Sequence, residues 1–283
     1  MEITSEMIKK LREKTGAGMM DCKRALENTG GDMDAAIEYL RKKGAAIGQK
    51  RSDRTAKEGV IVTRVGNNGK TGVVVEVNCE TDFVGRSDDF IGFAQAVAET
   101  VELRKPQLLD AIPNLTNAAG KRIADLMNDV LSKVAEKIDI RRFQVFEAAN
   151  GVVSSYTHLG NRIGVLVEIE GVAANSPVAR DVAMQIAAMN PSVISRDQVD
   201  KPWIERELDI YRTQAKNEGK PDPIVEKIAL GKLEKFYQEV VLLEQTFIKD
   251  PGKTIKDVLR EANPAQQVVV KRFQRFHLGE EAK

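Results

Sequence analysis

GVIVTRVGNNGKTGVVVEV, residues 59–77, and GVVSSYTHLGNRIGVLVEI, residues 151–169, superpose without a gap when Gly59 is laid on Gly151, an offset of 92. Gly59/Gly151, Val60/Val152, Gly72/Gly164, Val73/Val165, Val75/Val167 and Glu76/Glu168 are identical pairs. Each copy is a strand, a Gly/Asn turn and a second apolar strand, which is the pattern of a β-hairpin. A helical pattern comes after each: Phe90, Phe93, Ala94, Val97 and Val101 after the first, Val182, Ile186 and Met189 after the second. RFQVF at 142–146 returns as RFQRF at 272–276, an offset of 130, and its alternation suggests a third strand for each copy. The chain is therefore expected to be α+β, with two related subdomains that each carry helices on a three-stranded antiparallel sheet.

The two offsets differ by 38, so the second copy holds an insertion. Trp203, Ile204, Leu208 and Tyr211 form one helical stripe, and Val225, Ala229, Leu233, Phe236 and Val240 form another beyond a Pro/Gly turn at 217–223. They predict an antiparallel helical hairpin over 200–239, set within a second subdomain of 150–199 and 240–283, while 59–149 forms the first. In the first copy Ile123, Met127, Val130, Val134 and Ile138 mark one more helix.

Ahead of the repeat, 1–44 predicts three short helices. Met7, Ile8 and Leu11 mark the first, capped by Thr4 or Ser5. Met19, Cys22 and Leu26 mark the second, and Ala36, Ile37 and Leu40 the third, capped by Asp32 and ending before Gly44. So small a core suits docking better than catalysis. Met19 and Met20 are adjacent, and one of them is expected to face outward. Residues 45–58 are charged and poor in large apolar groups, as in a linker.

With 283 residues, 43 basic against 42 acidic side chains leave a formal charge of +1, which argues against binding nucleic acid through a whole-surface positive field. No apolar run is long enough to span a membrane and the first residues lack a secretory pattern, so the cytoplasm is the expected compartment. Cys22 and Cys79 read as core thiols. Two Gly-Lys-Thr triplets, at 69–71 and 252–254, lack the upstream glycine of a phosphate loop, with Arg64 and Phe247 in its place. His158 and His277 stand without metal-ligand neighbours, and no nucleophile sits on a Gly-flanked elbow. No catalytic residue, metal site or cofactor is expected. Arg141, Arg142, Lys271, Arg272 and Arg275 alternate on strands and read as a solvated sheet face.

The run 73–77 leads into NCETDFV, residues 78–84, and then Gly85 and a charged segment, which places Phe83 on a turn. A lone phenylalanine is more often core than surface. The alternative is that Asp82 and Phe83 project as a wedge for a partner, and spacing alone leaves both open.

TGAGMMDCKRAL at 15–26, EVNCETDFV at 76–84 and NRIGVL at 161–166 closely resemble the bacterial translation elongation factor Ts family, in order and over nearly the whole chain. The resemblance implies a non-enzymatic guanine nucleotide exchange factor for elongation factor Tu. Thr81, Asp82, Phe83 and Val84 would push toward the GTPase-bound nucleotide and dislodge its Mg²⁺, so that GDP leaves. By the same resemblance Arg12, Met19, Met20, Lys23 and Asn78 would touch the partner, and His158, Phe247 and Ile248 would touch another of its domains. The hairpin would match a protruding element through which members form homodimers, and no nucleic acid is contacted directly. Residues 105–121 receive no role.

Overall fold

The computed structural model describes residues 3–51, 53–158 and 160–280. It opens with helices α1 (Ser5–Thr15), α2 (Met19–Asn28) and α3 (Met33–Lys50). Thr4 and Asp32 cap α1 and α3 through their side-chain oxygens, and Gly16, at φ 69°, closes α1 in the left-handed region where glycine carries no penalty. Leu11, Cys22, Ala25, Leu26, Ala36 and Leu40 form the small core.

The first departure from expectation is α3, which runs through Gly44 to Lys50. Gly44 is not a stop but a contact: a methyl there would lie 2.4 Å from the backbone oxygen of Asn128 on a neighbouring helix. The missing side chain lets the helices touch, and Arg41 adds an ion pair to Asp129 at 2.8 Å. Residues 45–50 of the expected linker are thus helical.

The first repeat comprises β1 (Glu58–Gly66), β2 (Thr71–Cys79), the single turn α4 (Asp82–Gly85), α5 (Asp88–Arg104), α6 (Ile123–Val134) and β3 (Ile138–Glu147). Ile138, grouped with the helical stripe in the sequence, opens β3 instead. Ala135, at φ 52°, ends α6 and turns the chain. The second repeat is β4 (Val152–His158), β5 (Ile163–Glu170), α7 (Pro177–Met189), the hairpin α8 (Lys201–Asn217) and α9 (Asp222–Val240), the short pair β6 (Thr246–Phe247) and β7 (Asp250–Thr254), α10 (Ile255–Ala262) and β8 (Val269–His277). The sheets run β1-β2-β3 and β4-β5-β8, antiparallel throughout. Trp203 meets Phe236 edge-on at 5.0 Å, so the two hairpin stripes do pack on each other. The Gly-Lys-Thr triplets are a turn before β2 and the capped start of α10.

Each sheet buries one face under its own helices and the other against its twin. Ile61, Val74 and Phe146 of the first meet Val153, Leu166 and Phe276 of the second. The approach depends on matched glycines. A methyl at Gly72 would stand 2.4 Å from Val153 Cγ1, and one at Gly164 2.4 Å from Ile61 Cγ2. Register shifts fall at the same place in both sheets, after Glu76 and after Glu168.

The basic strands are a solvated face only in part: Lys271 and Arg272 stay exposed, whereas Arg142 and Arg275 are largely covered. Arg142 pairs with buried Glu76 at 2.6 Å and lays its guanidinium 4.2 Å from the ring centre of Phe276 in the other repeat. Arg272 reciprocates, with Glu168 at 2.7 Å and the Phe146 ring at 4.2 Å. Each arginine also donates to a backbone oxygen across the seam, Arg142 to His277 and Arg272 to Glu147, both at 3.0 Å. Alternation along a strand could show which face they share, but not that an aromatic ring from the twin sheet covers it.

Candidate functional site

Every residue of β2 is buried, which makes the strand a rigid support for the turn at its C-terminal end. Cys79 ends it and donates Sγ–H to the Thr81 carbonyl at 3.1 Å. Burial first, then the nearby Glu136 and Glu58 charges, push this thiol up to about 12, so it stays protonated and is no nucleophile. Thr81 caps α4, its Oγ1 accepting from Val84 N at 3.4 Å. Val84 is packed into the first core, and Gly85 lies against the β1 backbone at Gly59. Between these anchors the Phe83 side chain has nowhere to go but outward, and the residue is 84% exposed. Asp82 beside it pairs with Arg86 at 3.0 Å on the surface. An uncovered phenylalanine forgoes about 2 kcal/mol of burial, so folding alone does not account for its position.

The turn is held by two carboxylates, one from the facing corner and one of its own. Glu136, from the corner between α6 and β3, accepts from Thr81 N at 3.0 Å and from Thr81 Oγ1 at 2.8 Å. Glu80 accepts from Lys137 N at 2.7 Å, Arg51 Nη1 at 2.7 Å and Arg54 Nη1 at 2.9 Å. Partial burial alone would raise the Glu80 carboxyl, but the Lys137 amide and the two arginines outweigh it and hold it at about 2. The segment just after α3 is therefore strapped to the residue before Thr81.

The helical module lies close by. Gly16, before α2, rests against the Lys133 side chain, and Lys133 pairs with Asp89 at 2.5 Å in the first turn of α5, just beyond the Phe83 turn. Met19 and Met20 are 56% and 61% exposed. Both face outward, not one as expected, because Cys22, Ala25 and Leu26 fill the inner side of α2. Arg12 and Lys23 are exposed as well, Lys23 loosely paired with Glu27 at 3.8 Å.

His158 sits exposed at the end of β4, its Nδ1 2.8 Å from the Tyr156 hydroxyl and its ring stacked on the tyrosine. The β4–β5 turn reaches the first repeat where β1 begins: Asn161 O accepts from Ile61 N at 2.7 Å, and Arg162 pairs with Glu58 at 2.8 Å. Glu58 is the strand partner of Cys79, so the His158 end of one sheet and the Phe83 end of the other lie together. Ile248 is partly exposed. Asn78 and Phe247, which the resemblance puts at a partner surface, are enclosed here. Asn78 spends its amide on Glu58 O at 3.1 Å and Glu76 Oε1 at 3.2 Å, and Phe247 packs with Leu242 and Ile255 in the second core. Val84 is likewise an anchor and not a surface group.

Sequence reasoning missed Glu136, Glu80, Arg51 and Arg54. Only the Thr81 cap carried a local signal. The carboxylate that grips it lies 55 positions away. Among the described residues no group of His, Cys, Asp and Glu could hold a metal ion, and no helix is long and apolar enough to cross a membrane.

Taken together, these elements make a duplicated sheet with a helical module at one end and one aromatic turn projecting beside it. A family model described as Elongation factor TS matches residues 80–280. The elongation factor Ts of Prosthecochloris aestuarii is 46% identical over 285 residues, spanning 98% of this chain and 99% of that protein. That of Chloroherpeton thalassium is 45% identical over 287 residues, with 99% of each covered, and that of Clostridium botulinum strain Alaska E43 is 45% identical over 284, covering 98% and 93%. The chain belongs to the elongation factor Ts family.

Proposed function

We propose that the chain is a guanine nucleotide exchange factor for elongation factor Tu: it binds the GDP-loaded GTPase, displaces Mg²⁺ and promotes release of GDP. The observation that carries the proposal is the Phe83 ring, uncovered on a turn whose flanking residues are fixed. Mg²⁺ in a GTPase bridges phosphate oxygens and protein oxygens, so a small displacement of its ligands loosens the nucleotide. Arg12, Met19, Met20 and Lys23 would dock the helical module on the same partner domain, with His158 and Ile248 meeting a second one. The protein makes and breaks no covalent bond in this scheme, and translation elongation places it in the cytoplasm.

Linkage sets the scale. A factor that binds the empty GTPase more tightly than the loaded one weakens nucleotide binding by that same ratio. Each tenfold weakening takes about 1.4 kcal/mol. Burying one phenylalanine yields about 1.5–3 kcal/mol, one or two decades, so the ring needs the docking module and the second repeat to supply the remainder. A homodimer through the hairpin belongs to the same proposal. Exposed Ile210, Ile224 and Leu230 provide its surface, and the molecular mass in solution tests it.

The direct test is the release of a fluorescent GDP analogue from elongation factor Tu with and without this chain. Faster release is the expected result. Binding with an unchanged release rate would reduce the protein to a docking scaffold.

A further inference from the structure

The Phe83 turn and the corner between α6 and β3 hold each other by exchanging the same kind of bond. The Glu136 carboxylate takes the Thr81 N–H, and the Glu80 carboxylate takes the Lys137 N–H, so two neighbouring pairs, 80–81 and 136–137, are cross-strapped. Glu136 also takes the Thr81 hydroxyl hydrogen, leaving the oxygen lone pairs free to cap Val84 N. That fixes both donors of the residue from which α4 starts, two positions before Phe83. Charge-assisted bonds of 2.7–3.0 Å are the strong members of their class. A four-residue helix has too few internal bonds to hold a direction by itself.

The other end of the clasp reaches the helical module. Glu80 takes Arg51 and Arg54 from the segment after α3, and Lys137 Nζ donates to Arg54 O at 2.9 Å. No other described element packs over the Phe83 ring to orient it, given its exposure. From these contacts we infer that Glu136 is the positioning residue of the exchange turn, with Glu80 tying that turn to the module. Both carboxylates are engaged by donors of this chain. They set the direction in which the ring is presented. The inference rests on the exchange reading for its consequence, though not for its structural content.

The test uses the full chain with Glu136→Ala, Glu136→Gln and Thr81→Val. Hydrogen exchange of backbone amides over 81–87 reads the clasp directly, and nucleotide release at increasing concentrations of the chain reads its consequence. Glu136→Ala is expected to deprotect the amides of Thr81, Val84 and Gly85 at least tenfold while those of β2 stay protected. It should also lower the maximal release rate about tenfold with the half-saturating concentration changed less than about twofold, because the docking surface is untouched. Glu136→Gln, which keeps an acceptor for Thr81 N–H, should recover most of both losses. Thr81→Val removes only the hydroxyl and is expected to fall between, so it serves if Glu136→Ala does not fold. Unchanged amide protection in 81–87 overturns the inference, and so does a loss confined to the half-saturating concentration. If the unmodified chain leaves the release rate unaltered, the exchange reading fails on its own and the amide protection still decides whether Glu136 holds the turn.

Discussion

The two repeats agree in their interior and part company at one loop. After β2 the first runs through Glu80, a clasped Thr81 cap and the outward Phe83. At the same offset after β5 the second has Val172, Ala173 and Asn175, with Gly171 at φ 84° and its carbonyl tied by Asn263 Nδ2 at 2.8 Å. The corner before β3 supplies a carboxylate to its turn, whereas the corresponding stretch before β8 supplies an amide. What the copies share is what pressing one sheet on the other requires: paired glycines, Glu–Arg pairs and crossed rings. What they do not share is the aromatic and the apparatus that aims it. The edge proposed to act on the partner is thus the place where the two halves of a single chain differ.

The shared part can be broken unequally. Glu76 has no exposed surface and Arg142 little, while Arg272 keeps 45% of its side chain in solvent. Arg142→Ala would leave the buried Glu76 carboxylate to Asn78 Nδ2 at 3.2 Å, Gly279 N at 3.5 Å and the longer ion pair with Arg141 at 3.9 Å, and is expected to cost about 3–5 kcal/mol in urea unfolding. Arg272→Ala removes an arginine that water already screens over nearly half its surface and should cost less, about 1–2 kcal/mol. Equal losses would mean that the seam is symmetric in energy as well as in geometry.

The unshared part carries the next largest effect. Phe83→Ala should slow stimulated nucleotide release by one to two decades, about 1.5–3 kcal/mol, and leave unfolding within about 0.5 kcal/mol. Asn175→Ala, its counterpart, should change neither. If Phe83→Ala unfolds at markedly lower urea, the ring contributes to the core in solution and the comparison collapses. A smaller effect tests the matched glycines: Gly72→Ala and Gly164→Ala should each cost about 1–2 kcal/mol through overpacking against Val153 and Ile61. Trimming the facing side chain, as in Gly72→Ala with Val153→Ala, should return part of the loss for the clash, and no return would place the strain elsewhere.

Most of the frame was legible because it is written locally. Apolar runs about a Gly/Asn turn gave the hairpins, alternation gave the third strands, the 92-residue echo gave the repeat, and Thr4 and Asp32 announced helix starts within a few residues of themselves. Illegible features depended on surfaces brought together from afar. Gly44 looked like a helix stop because the Asn128 carbonyl it must admit lies on α6. Arg142 and Arg272 looked solvated because their covering rings belong to the opposite sheet. Phe83 was ambiguous because a turn has no periodicity to say which way a ring points, and its exposure comes from anchors on both sides that only the folded chain supplies.

The smallest expected effect concerns acid, and it falls on the first repeat alone. Glu80 sits at about 2 in the folded chain against an ordinary 4.5, so its pairing stabilises the fold at pH values above 4.5 and is lost as pH drops from there toward 2. Direct conversion of that difference gives about 3 kcal/mol, but Arg54 is more than half exposed and solvent screens it, so about 1 kcal/mol is the realistic share. The stability gap between the unmodified chain and Glu80→Gln, measured by urea unfolding, should therefore be constant from pH 7 to about 5 and shrink by about that amount toward pH 3. Amide protection in 80–87 should weaken over the same interval while 171–176, where the second repeat has Val172 in place of the carboxylate, stays as it was. A gap that holds steady to pH 3 would show that the arginines grip nothing of consequence, and the turn would then owe its direction to Glu136 alone.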